Sequence, residues 1–163
     1  MLVGRKTIKA AIGVEIDNLP IHNYSGKKDE LNIITVANER PYHGYDRLIK
    51  SLSVYKGSAN VCLHIVGNVY PKTREMVQNL NLQDKVIFYG KQYGKQLEDI
   101  YNKCNLAAGP ICQHRVGGKK DTGLKTKEYI GIGLPYFYGG QDLMDDSIGK
   151  YILNIPDDES MID

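Results

Sequence analysis

The stretch "GLKTKEYIGIGLP", residues 123–135, sets Gly123 ahead of Lys125, Lys127 and Glu128 and closes on Gly133 and Pro135. A helix opened by glycine presents its first N–H groups together with the positive end of its dipole, a combination that attracts phosphate. Lys119, Lys120, Lys125 and Lys127 add positive charge around that end. Glycine marks other loops as well: Gly44, Gly67, the pair Gly90 and Gly94, and Gly117 with Gly118 on the way to Gly123. Glycine lets a backbone approach a ligand closely, and it equally makes a tight turn. On residue types alone this loop set is either an anion cradle or a group of solvated basic turns.

The elements that must position these residues follow a regular pattern. "LNIITVA" (31–37) is a β-branched run, and Tyr45, Leu48, Ile49 and Leu52 then recur at helical spacing. "VCLHIVG" (61–67) is a second strand, followed by a helix with Pro71 as its first residue and Met76, Val77 and Leu80 along it. "KVIFYG" (85–90) precedes a helix carrying Leu97, Ile100, Tyr101 and Cys104 on one face, and "NLAAGP" (105–110) is a fourth strand. The 123–135 stretch supplies the next helix, ending at Gly133 as glycine-terminated helices do, and "PYFYG" and "YILNI" (151–155) complete six strands. Strands alternating with helices predict an α/β fold, a Rossmann-like three-layer domain with a six-stranded, mostly parallel sheet. Such sheets bind ligands beyond the carboxyl ends of their strands. The loops after Ala37, Val66, Tyr89 and Gly109 are therefore the places for a site.

The chain has 163 residues, 42% hydrophobic and 25% charged, which predicts one soluble domain over residues 1–163. A net charge of +2, from 21 Lys and Arg against 19 Asp and Glu, steers toward neither nucleic acid nor membrane. No apolar run is long enough to span a bilayer and no signal peptide is recognisable, so the expected location is cytoplasmic. Cys62, Cys104 and Cys112 share no C-x-x-C spacing, which argues against a disulfide framework and against a zinc site. They are expected as free thiols, with Cys62 and Cys104 in the core.

The chain resembles the C-terminal, donor-binding domain of a family 4 (group 1) glycosyltransferase, one half of the GT-B fold. That family has a segment of the form G-L-x-x-x-E-A-x-A-x-G-x-P, matched here at Gly123, Leu124, Glu128, Gly133 and Pro135. "HGYDRLIKSL", "LHIVGN", "VIFYGKQYGKQLEDIYNKCNLAAGP" and "IGVEIDNLP" resemble further family landmarks in order and spacing. The resemblance implies that Glu128 accepts hydrogen bonds from a donor ribose and that the amides at Gly123, Leu124 and Lys125 face the diphosphate. The implied donor-contacting set is Glu128, Gly123, Leu124, Lys125, Thr126, His43, Gly44, Arg40, Gly67, Lys91 and Lys120, with no metal and no cofactor apart from the donor, a UDP- or GDP-sugar.

Departures from the pattern accompany the match. The family's first Glu, seven residues before the second, falls at Lys120, with Asp121 beside it. The Arg and Lys that clamp the diphosphate in the family fall at Ala37 and His43, leaving Arg40, Arg47, Lys91, His114, Arg115 and Lys125 as substitutes, Arg40 and Lys125 best placed. The expected function is donor binding for retaining transfer from a nucleotide diphosphate sugar to a glycan or lipid-linked acceptor. The alternatives are a non-catalytic nucleotide-binding module and a GT-B-type sugar-nucleotide epimerase. The acceptor domain of a GT-B enzyme is missing from this chain, so the fragment alone is expected to be inactive. For the full-length protein the resemblance implies peripheral membrane association and work in polysaccharide synthesis.

Overall fold

The computed structural model describes residues 14, 15, 17, 19–24, 27, 29–117, 123–140 and 149–162. Lys120, proposed above as a donor contact, lies outside them, as do Lys119 and Asp121. The elements run β1 (Glu30–Val36), α1 (Tyr45–Val54), β2 (Asn60–Val66), α2 (Pro71–Asn79), β3 (Val86–Gly90), α3 (Gly94–Tyr101), β4 (Leu106–Ala108), α4 (Leu124–Ile132), β5 (Tyr136–Gly139) and β6 (Ile152–Ile155). Each element matches a predicted one to within a few residues. Three short 3-10 turns, Pro41–His43, Gln113–Val116 and Gly149–Tyr151, are additional. At three or four residues each, they carry no hydrophobic period to read.

The strands form one six-stranded sheet in the order β3-β2-β1-β4-β5-β6, and every neighbouring pair is parallel. Side chains alternate across it, so the sheet supplies two cores. Val61, Leu63 and Ile65 of β2 pack with Leu48, Ile49 and Leu52 of α1 and Val77 of α2. On the opposite face Ile34, Val36 and Val66 pack with Ile100 and Tyr101 of α3 and Tyr129 and Ile132 of α4. Cys104 is fully buried in this second core, but Cys62 is only half-buried, and Cys112, not expected in the core, is fully buried. Cys62 sits beside Asn32 in the register, near the amino end of β2, where polar residues replace the aliphatic cover.

The chain leaves β1 toward β2 but returns from β3 to β4, so β1 and β4 are neighbours whose following loops diverge. That divergence opens a crevice at the carboxyl edge. Two tyrosines fix its walls. The hydroxyl of Tyr129 on α4 accepts a hydrogen bond from Val36 N–H at 3.1 Å, and Tyr45 on α1 donates to the Ala37 carbonyl at 3.1 Å. Both helices are thereby registered on the end of β1.

Candidate donor site at the switch point

A cavity of about 360 Å³ occupies the crevice between β1 and β4, lined by Thr35 to Asn38, Arg40, Tyr42, His43, Ala108 to Pro110, Gly123 to Thr126 and Tyr129. Six of the predicted residues, Arg40, His43, Gly123, Leu124, Lys125 and Thr126, meet there. Gly123 is the N-cap of α4 in extended backbone and brings no side-chain cap, so the first turn offers its N–H groups to the cavity. Thr126 is fully buried, and its hydroxyl donates to the Gly123 carbonyl at 2.8 Å. Its side chain thus shapes the turn beneath the cavity floor.

His43 is held in a defined protonation state. Burial, and secondarily the charge of Arg40, lowers its pKa to about 4, so the ring is neutral near pH 7. Arg40 N–H donates to Nδ1 at 3.1 Å. The proton therefore sits on Nε2, and His43 serves as a hydrogen-bond donor without charge.

Lys125 joins this cavity to two others. A space of about 220 Å³ on one side is lined by Asn38, Gly67, Lys91, Gln92, Tyr93 and Lys125 among others. A larger one of about 640 Å³ lies between α3 and α4, where Lys125 and Glu128 face Tyr93, Lys95, Leu97 and Tyr101. Glu128 pairs with Lys125 at 2.9 Å, the two side chains being 29% and 41% exposed. The Tyr101 hydroxyl in this wall is buried with no hydrogen-bond partner among the described residues. Gly67 takes φ +121°, and a side chain there would run into the Ala37 carbonyl, so its glycine is needed to bring β2 up to the end of β1. Gly44 does not line the cavity: buried at φ +71° where the 3-10 turn enters α1, it packs against Ile111 and Cys112.

Three of the substitutes suggested for the missing clamp are committed elsewhere. Arg47 is 2% exposed and donates to the carbonyls of Ser160 (2.6 Å), Ile111 (2.8 Å) and Pro156 (2.8 Å). Arg115 pairs with Asp46 at 2.7 Å and with Glu159. Both His114 nitrogens face carboxylates, Asp157 at 2.9 Å and Glu159 at 2.8 Å. These groups hold the C-terminal turn, residues 156–162, against α1 and the turn after β4. Arg40, Lys91 and Lys125 remain at the cavities. Sequence reading missed Asn38 and Tyr93. Asn38 follows β1 directly and Tyr93 is 73% exposed beside Gly94; a large aromatic next to a loop glycine at the carboxyl edge was the available signal.

An open, all-parallel six-stranded sheet with helices on both faces and a crevice at its switch point is a Rossmann-like α/β domain. Residues 20–136 match the profile of the family described as Glycosyl transferases group 1, and the chain belongs to that family. No curated protein sequence matches it significantly. Among solved structures, a sucrose-phosphate synthase from Thermosynechococcus elongatus superposes with a TM-score of 0.63 at 18% identity, over 90% of this chain and 39% of that one. A glycosyltransferase from Rickettsia africae gives 0.62 at 15% identity, over 82% and 35%. The Anabaena protein HepE, crystallised with UDP, gives 0.60 at 14% identity, over 78% and 35%. The chain thus spans less than two-fifths of each of these structures, and its fold is that of one half of a GT-B glycosyltransferase.

Proposed function

We propose that this domain binds the nucleotide diphosphate sugar donor of a retaining glycosyltransferase, residues 1–163 acting as a single donor domain. The observation that carries the reading is the convergence of the uncapped α4 N-terminus with Lys125, Arg40 and the Nε2–H of His43 on one cavity at the switch point. Backbone amides at Gly123 to Lys125 take the diphosphate, Lys125 and Arg40 offset its charge, and His43 donates one neutral hydrogen bond. Glu128, on the next cavity along α4, accepts from the ribose hydroxyls. As the sugar–phosphate bond breaks, negative charge grows on the leaving diphosphate, and these donors are already oriented toward it. Retention of configuration, a glycan or lipid-linked acceptor, a role in polysaccharide synthesis and a cytoplasmic site at the inner membrane face rest on the family resemblance. Among the described residues no helix is long and apolar enough to cross a membrane.

In a two-domain cleft the sugar projects toward the partner half, so the isolated domain holds donor without orienting an acceptor or excluding water. Thermal-shift and calorimetric titration with UDP, GDP and pyrophosphate tests donor binding. Stabilisation by a nucleoside diphosphate is expected, and a melting temperature unmoved by millimolar ligand would overturn the reading. Radiolabelled nucleotide sugars with a glycan and lipid extract should give no labelled product with this domain alone; turnover would show that the acceptor is held here.

A further inference from the structure

We propose that Cys112, His114 and Glu159 form a binding site for a divalent ion of the zinc class, joining the turn after β4 to the C-terminal turn. Their ligand atoms, the Cys112 thiol sulfur, a ring nitrogen of His114 and a carboxylate oxygen of Glu159, lie within 4.8 Å of one another. In tetrahedral zinc sites metal–ligand bonds of about 2.0–2.3 Å set ligand atoms roughly 3.3–3.7 Å apart. Cys112 is buried in place, so that spacing would be set by rotation of the exposed His114 and Glu159 side chains. Thiolate, imidazole and carboxylate together are the ligand set of zinc and cobalt, whereas magnesium and calcium take oxygen.

The surroundings of His114 ask for a cation. Asp157 Oδ1 lies 2.9 Å from Nδ1 and Glu159 Oε1 lies 2.8 Å from Nε2. A neutral imidazole has one N–H, so one nitrogen lone pair would face an oxygen; a proton or a metal must stand between them. With the metal on Nε2, the Nδ1–H donates to Asp157, the arrangement that commonly orients a metal-bound histidine. Glu159 is in turn oriented by Arg115, which takes both its oxygens. The local charge leans negative among the described residues: Asp46, Asp157, Asp158 and Glu159 stand against Arg47, Arg115 and Lys50. On binding, the Cys112 thiol gives its proton to solvent and the sulfur bonds the metal, with no change of oxidation state. Water completes the coordination. The ion would tie residues 157–159 to the segment that leads from β4 toward α4, and this site is independent of what the switch-point cavity binds.

The test uses the full chain, reduced, stripped with chelator and titrated with Co²⁺. The expected result is one ion per chain with a near-ultraviolet thiolate-to-cobalt charge-transfer band, displaced by Zn²⁺. Cys112→Ser should remove that band, and Asp157→Asn should weaken cobalt binding about 10- to 100-fold. Because Cys112 is fully buried and its variant could unfold, His114→Ala and Glu159→Ala give the second arm: each should lower affinity at least tenfold with the far-ultraviolet circular dichroism unchanged. Absence of the band at saturating Co²⁺ would overturn the proposal and leave a protonated His114 bridging its two carboxylates. A cobalt affinity unchanged in both surface variants would also overturn it, since neither His114 nor Glu159 would then be a ligand.

Discussion

Replacing Glu128 with Ala asks whether that carboxylate reads a nucleotide or only pairs with a lysine. In the free domain its partner is Lys125, one turn away at 2.9 Å with both side chains partly exposed. Such a helical pair contributes about 0.2–0.5 kcal/mol, so its loss should barely change stability. A carboxylate accepting from two ribose hydroxyls makes charge-assisted bonds worth about 1.5–3 kcal/mol. The second figure is several times the first, so a ligand that engages Lys125 with phosphate and Glu128 with ribose can break the pair and still gain. Glu128→Ala should therefore weaken UDP binding roughly 10- to 150-fold, with the unfolding midpoint nearly unchanged. Pyrophosphate, which has no ribose, should lose little affinity and could gain some once Lys125 is released. Isothermal titration with UDP and pyrophosphate, on wild type, Glu128→Ala, Lys125→Ala and the double variant, separates these contributions. Equal losses for both ligands would refute the ribose assignment and leave Glu128 as a surface partner of Lys125.

Three other outcomes follow from the same geometry. Gly123→Val should fold, because a side chain there meets nothing within 4 Å among the described residues and φ −65°, ψ 151° suits valine, yet it should cut UDP affinity at least tenfold by screening the α4 amides; calorimetry showing unchanged affinity would move the phosphate elsewhere. Arg47→Met should cost about 3–5 kcal/mol in urea unfolding and expose residues 156–162 to protease, since three carbonyls lose a buried charged donor; a loss under about 1 kcal/mol would show that the C-terminal turn is held without it. His43, neutral when folded with a pKa near 4 and ordinary at 6.5 when unfolded, stabilises fully above pH 6.5 and progressively less as pH falls toward 4, where the unfolded chain binds the extra proton. His43→Gln should thus flatten the acid side of the stability profile by about 2–3 kcal/mol, and equal slopes between pH 7 and 5 for variant and wild type would argue against a buried neutral ring.

The fold was legible because each element carries its own period and punctuation. Tyr45, Leu48, Ile49 and Leu52 recur at helical spacing and all face one core, and Pro71 and Gly133 stand at helix ends. What escaped were features set by tertiary partners. Cys62 sits in a β-branched run that reads as core, but its depth depends on what covers the amino end of β2, where the register sets it beside the polar Asn32. Arg47 reads as an exposed helix-face cation or a phosphate clamp. Its partners are carbonyls 64, 109 and 113 residues away, and no local pattern announces them.

The candidate site divides the same way. Gly123, Lys125 and Glu128 were visible as a motif, because an uncapped N-terminus followed by lysines is a local property of the chain. The division of labour among the cations was not, since charge alone does not say which guanidinium is already occupied. Arg47, Arg115 and His114 hold the C-terminal turn, so among the described residues positive charge at the switch-point cavities comes from Arg40, Lys91 and Lys125, with His43 contributing a donor and no charge. Helix α4 itself buries only Thr126, Tyr129 and Ile132, a narrow stripe, and Tyr129 is what fixes it to β1. A helix with so little buried face and no side-chain cap contributes weakly to stability. Among the described residues no side chain caps its N-terminus, at a place where the sheet topology opens a crevice, and an anion bound there would supply that cap.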